Sequence, residues 1–79
     1  MGSETQGERV MHRQAVSSKN IASIGYDEPT QLLEVEFLNG GIYHYFNVPS
    51  AVYDALMAAP SHGTYLNAYV KGQYQYQKV

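Results

Sequence analysis

Two tyrosine pairs, Tyr43-His44-Tyr45 and Tyr74-Gln75-Tyr76, have the spacing best suited to chemistry in this sequence. Residues two apart on an extended chain place their side chains on one side. Paired rings on a strand can stack single-stranded bases, each stack contributing about 1–3 kcal/mol. The same pair can fill a core while its hydroxyls reach a wet rim. Both readings stand for Tyr43 and Tyr45. Tyr74 and Tyr76 either hang free or dock, by extending a sheet or by covering helices.

The cations are few: Arg9, Arg13, Lys19, Lys71 and Lys78. If the two ends of the chain converge, Arg13, Lys19, Lys71 and Lys78 line one edge. Each phosphate they meet then adds a salt-dependent term to binding. If the ends do not converge, these residues are scattered solubilising charge. A net charge of −2 and a pI near 5.8 argue against strong nonspecific phosphate binding. The candidate nucleic-acid contacts are therefore Tyr43, Tyr45, Arg13, Lys19, Lys71, Tyr74 and Tyr76.

Catalytic equipment is sparse. His12, His44 and His62 share no metal-ligand spacing, and their simplest reading is exposed histidine. Glu34 and Glu36 stand two apart like an acid pair, but also like the solvated face of a strand. There is no cysteine, hence no thiolate nucleophile and no Cys-based zinc site. No serine sits in a nucleophile elbow, and no Gly-rich loop opens a helix after a strand. We expect no enzyme, no cofactor and no metal.

Steps outward from these residues lead to the elements that must carry them. Seventy-nine residues make one domain, expected to be a monomer. The cysteine-free composition points to a reducing cytoplasm. No apolar run approaches the roughly 20 residues of a membrane span, and no signal-peptide core is visible. Residues 1–14 read as a flexible tail, and residues 15–79 as the folded unit. Ile21–Tyr26 reads as a first strand with Ala22, Ile24 and Tyr26 on one face; Gly25 marks a bulge or a close approach. Gln31–Leu38 alternates, with Leu33, Val35 and Phe37 opposed to Glu34 and Glu36.

Asn39-Gly40-Gly41 then signals a hairpin, and Ile42–Phe46 returns as a third strand. A two-residue loop would pair Phe37 with Ile42 and bury His44. A three-residue loop through Gly41 would pair Leu38 with Ile42, and would put Tyr43 and Tyr45 beside Val35 and Phe37. The second is favoured, because it places glycine at the left-handed position. Pro49 suits the first position of a helix carrying Val52, Tyr53, Leu56 and Met57. Pro60 ends that helix. Ser61 caps a second, with Tyr65, Leu66, Tyr69 and Val70 on one stripe, and Gly72 stops it. The expected fold class is α+β: a three-stranded antiparallel β-meander followed by two short α-helices packed on one face.

This order of motifs resembles the KTSC domain family. The resemblance rests on Val16-Ser17-Ser18, Asn20-Ile21-Ala22 and Ile24-Gly25-Tyr26-Asp27, then Leu33-Glu34-Val35 with Phe37 and Asn39-Gly40. It continues through Tyr43, Tyr45 and Val48-Pro49 to Val52-Tyr53, Leu56, Gly63, Tyr65, Asn67, Lys71-Gly72 and Tyr74. It runs from about Arg13 to Tyr76. Such domains stand alone in bacterial proteins and also occur at the C-terminal end of some lysyl-tRNA synthetases. The resemblance therefore implies a small non-catalytic module that binds RNA or other single-stranded nucleic acid. Ala68 and Gln75 depart from the family, standing where relatives often carry a basic residue and a proline, and the first departure removes positive charge. The alternative is a protein–protein interaction module using a Tyr-rich surface, a composition suited to interfaces.

Overall fold

The computed structural model describes residues 12–79. Five strands form one antiparallel sheet in sequence order. They are β1 (Arg13–Ala15), β2 (Ile21–Asp27), β3 (Leu32–Phe37), β4 (Ile42–Tyr45) and β5 (Tyr76–Lys78). Between β4 and β5 lie two helices, α1 (Ser50–Ala58) and α2 (His62–Tyr69). The fold is α+β as expected, but the meander has five strands rather than three. The two additions are the edges. Each is three residues long, too short to show a period, and is held by backbone pairing to its inner neighbour. Arg13 and Gln14, which the sequence places in the tail, pair with Gly25 and Ile24 of β2. The rest of the expected tail, residues 1–11, lies outside the described residues.

Alternation sets the two faces of the sheet. Leu33 and Val35 are fully buried on one face, and the carboxylates of Glu34 and Glu36 stand on the other. In β2 the pattern is broken by a bulge between Ile21 and Ser23. Ala22 is the extra residue, so Ile21 and Ile24 both reach the core and Ser23 turns outward opposite Glu36. Ile21 therefore takes the core place that alternation assigned to Ala22.

The β3–β4 hairpin keeps the expected faces with a different register. Val35 lies opposite Tyr43, Leu33 opposite Tyr45 and Glu34 opposite His44. Ile42 pairs with Glu36, however, not with Leu38. The three-residue loop is Leu38-Asn39-Gly40, closed by bonds from Phe37 N–H to the Gly41 carbonyl (2.8 Å) and from Gly40 N–H to the Phe37 carbonyl (2.9 Å). Gly40 takes the left-handed position at φ +95°, and the Asn39 carboxamide oxygen accepts from Gly41 N–H at 2.9 Å. The slip of two residues preserves which side chains face inward.

The helices roof the apolar face. Pro49 is the N-cap of α1 rather than its first helical residue. Pro60 ends α1 by holding Ala59 extended. Ser61 Oγ accepts from Thr64 N–H at 3.2 Å and caps α2. Gly72, at φ +82°, lets the chain turn back after α2 and run up beside β4. Leu56, Leu66, Val48 and Val70 close over Ile21, Ile24, Leu33 and Val35, each at most 1 % exposed. Each such burial contributes about 1.5–3 kcal/mol. Tyr26 stacks on Tyr53 of α1, with ring centres 4.8 Å apart, and its hydroxyl donates to the Val48 carbonyl.

Candidate nucleic-acid interface

On the roofed side of the sheet, β3, β4 and β5 carry a row of rings that reaches from the core to the surface at Tyr76. Tyr43 meets the Phe37 ring edge-on at 5.5 Å, and Tyr76 lies 5.8 Å from Tyr43 and 5.9 Å from Tyr45. The register explains the row. Tyr45 pairs with Tyr76 across β4–β5, and Val35 with Tyr43 across β3–β4, so all point to one face. Lys71, just past the end of α2, holds its ammonium 5.2 Å from the centre of the Phe37 ring. Lys78 stands opposite Tyr43 in the outer ladder.

Two recesses of about 430 and 390 Å³ adjoin here. Both are lined by Phe37, Asn39 and Lys71, so they form one groove. One end is aromatic, with Tyr43, Tyr45 and Tyr76. The other is amide-rich and cationic, with Lys19, Asn20 and Asn67. Among the described residues, Lys19, Lys71 and Lys78 form no ion pair with a carboxylate. The groove is therefore positive in a chain whose net charge is negative.

The sequence candidates separate by environment. Tyr43 is half-buried, and Tyr76 is 61 % exposed, free to offer a face. Tyr45 is a core residue, 3 % exposed. Burial pushes its hydroxyl up to about 12, and the neighbouring Tyr43 and Tyr76 hydroxyls add to the shift. Tyr45 is thus the floor of the groove rather than a stacking surface. Tyr74 is half-buried and packs against the core. Lys19 and Lys71 meet in the groove, 52 positions apart in the chain.

Arg13 is elsewhere. It lies on the opposite face of the sheet, 3.2 Å from Glu34 and 3.7 Å from Glu36. Glu34 also contacts His44 Nε2 at 2.9 Å, and Ser23 Oγ donates to Glu36 at 2.9 Å. Gly25 makes this arrangement possible. A Cβ there would stand 2.8 Å from Arg13 Cγ, so only glycine lets the arginine stem cross β2 to reach β3. The convergence of Arg13 with Lys19 and Lys71 does not occur, because a strand's two faces are separated by the sheet itself.

Sequence reasoning does not place Phe37, Asn20, Asn39 and Asn67 in the site. Phe37 reads as core from its alternation and packs against the core, yet at the end of β3 it stays half-buried and lines a recess with Gly63, Leu66 and Asn67 of α2. The asparagines carry turn and family signals only. His62 Nδ1 lies 2.9 Å from the Leu56 carbonyl, a contact with the last turn of α1. Among the described residues, no group of three or more His, Cys, Asp or Glu is placed to hold a metal ion. No helix among them is long and apolar enough to cross a membrane.

The chain is similar to proteins of two kinds. It is 43 % identical over 70 residues to an uncharacterised protein of Stutzerimonas stutzeri, covering 87 % of this chain and 99 % of that one. It is 42 % identical over 59 residues to a lysine–tRNA ligase of a Nostoc species. That match takes in 75 % of this chain but only 10 % of the ligase, so the chain spans about a tenth of that relative. The crystal structure of a KTSC domain protein from Yersinia pestis superposes with a TM-score of 0.86 at 38 % identity, covering 89 % of this chain and 99 % of that one. The KTSC domain pattern matches residues 17–74, from the turn before β2 to Tyr74 beyond α2, and the chain belongs to the KTSC domain family.

Proposed function

We propose that this domain is a non-catalytic module that binds single-stranded nucleic acid, RNA foremost, along the Tyr76–Lys19 groove. The observation that carries the reading is the meeting of rings and unpaired cations. Phe37, Tyr43 and Tyr76 form an aromatic wall, while Lys19, Lys71 and Lys78 stand beside it without carboxylate partners among the described residues. Bases of any kind stack on such rings, and phosphates meet the ammonium groups. Relatives named lysine–tRNA ligase contain a segment like this chain, and a ligase named for a tRNA handles RNA. On the outer face, the side chains suited to acid–base work are engaged with their neighbours: Glu34 with Arg13 and His44, and Glu36 with Ser23. That commitment supports binding over catalysis.

The test is a titration of a short oligouridylate, in low salt, followed by backbone amide shifts. Shifts are expected at Asn39, Tyr43, Lys71 and Tyr76. The affinity should fall with salt at a log–log slope of roughly −2, about −0.7 for each of three phosphates on a single strand. A spectrum that does not move at these positions sinks the reading. A protein partner seated on Tyr69 and Tyr76, both about 60 % exposed, is the rival, and it leaves the three lysines without a role.

A further inference from the structure

The amide end of the groove has a construction that stacking and phosphate contact do not require. Asn20 precedes β2, and Asn67 stands on α2, one helical turn beyond Gly63. Residues four apart share one face of a helix. Gly63 is buried, and a Cβ on it would come 3.3 Å from Asn20 Nδ2. The missing side chain thus lets the Asn20 carboxamide lie against α2 beside Asn67. Among the described residues, neither carboxamide is engaged in a hydrogen bond within the fold, whereas Asn39 uses its oxygen on Gly41 N–H. Asparagine is also a weaker helix former than alanine, so Asn67 adds nothing to α2 as a helix. The recess around these amides measures about 390 Å³, within the range of ligand clefts, and Lys19 and Lys71 flank it.

We infer that this end of the groove takes one unstacked nucleobase and reads its edge, with the carboxamides of Asn20 and Asn67 as the reading groups. A carboxamide offers a donor and an acceptor side by side, matching the paired donor and acceptor on a base edge. The inference rests on the nucleic-acid reading above and adds selectivity to it. The wall of rings tolerates any base; the amide pair does not. Lys19 and Lys71 hold the phosphates on either side of the selected base. A good bidentate contact of this kind discriminates by about 5- to 150-fold.

The experiment uses fluorescein-labelled oligouridylates that differ at one central position: adenine, cytosine, guanine, uracil or an abasic site. Their affinities are compared by fluorescence anisotropy. The full chain is expected to prefer one base over the other three by at least about fivefold. Asn67→Ala should erase that preference, and Gly63→Ala should blunt it by pushing Asn20 aside. Tyr76→Ala should weaken all five ligands alike. Thermal unfolding of each variant shows that the fold is kept; Gly63→Ala suits alanine's helix preference. Equal binding of the four bases by the full chain, whatever the abasic ligand does, overturns this inference and leaves the nucleic-acid reading standing. Binding of none overturns both.

Discussion

The two faces of the sheet handle charge in opposite ways. On the outer face, Arg13, Glu34, Glu36, His44 and Ser23 bond to one another, with one arginine shared between two carboxylates. On the roofed face, Lys19 and Lys71 line a groove beside exposed rings, without carboxylates among the described residues. A row of residues in register across all five strands explains the first face: Gly25, Glu34, His44 and Gln77 follow Arg13 from edge to edge. The lesson is that charge composition predicts little until each residue is assigned a face. Groups bonded to one another hold an edge strand to its neighbours, and unpartnered groups remain available to a ligand.

The sharpest way to break this contrast lies within the aromatic wall. Tyr45→Ala should cost about 3–5 kcal/mol of stability, as for other large buried aromatics. That loss rivals the whole stability of so small a domain. Tyr76→Ala, at 61 % exposure, should change stability by less than about 0.5 kcal/mol while weakening oligonucleotide binding by about 1–3 kcal/mol. Urea unfolding and anisotropy, run on both variants, separate floor from wall. Equal effects of the two on stability would erase the distinction.

Alkali probes the same floor. The Tyr45 hydroxyl is raised from 10.0 to about 12, so the folded state keeps its proton where the unfolded chain has lost it. Stability from this group is fully present below pH 10 and is lost as pH rises toward 12, by roughly 2–3 kcal/mol in all. Denaturant midpoints measured across that window should fall, and Tyr45→Phe should flatten that part of the decline.

Gly25→Ala tests the outer face. The new Cβ would meet Arg13 Cγ at 2.8 Å and the His12 carbonyl at 3.0 Å, so β1 must shift. The expected cost is about 1–3 kcal/mol. Amide exchange should quicken at Arg13–Ala15, with groove binding unchanged. Smallest of all is the charge comparison. Arg13→Ala should cost under about 1 kcal/mol of stability and leave the salt slope of binding alone. Lys71→Ala should leave stability nearly alone and reduce that slope by about 0.7. A slope change in Arg13→Ala would show that the faces are not electrically separate.

Much of the scaffold is legible in the sequence because it obeys short-range rules. The alternation at Leu33–Phe37, the Asn39-Gly40 turn, the Ser61 cap and the stops at Pro60 and Gly72 each have a local cause. Strand β1 has none, since three residues cannot display a period; β5 is legible only as the option that Tyr74 and Tyr76 dock by extending a sheet, and its Tyr76 does so against Tyr45. The bulge at Ala22 is hidden for a related reason, since one extra residue reverses alternation without changing composition. The hairpin loop is legible in its length and its faces, but not in which glycine turns left-handed. Within the site, spacing reveals that Tyr43 and Tyr45 share a face, but not that the β5 neighbour and the helices bury one and leave the other half-open. Arg13 is misplaced by sequence reasoning because its partner glycine lies 12 residues away, and only the register brings them together.

The place of β5 in the chain separates the wall from the core. All the fully buried side chains lie between Ile21 and Val70, whereas the outermost ring of the wall is Tyr76. A loosening of β5 from β4 would withdraw no fully buried side chain, yet it would carry off Tyr76 and Lys78 together. Local opening of one short edge would thus dismantle the proposed ligand surface while the interior stays closed.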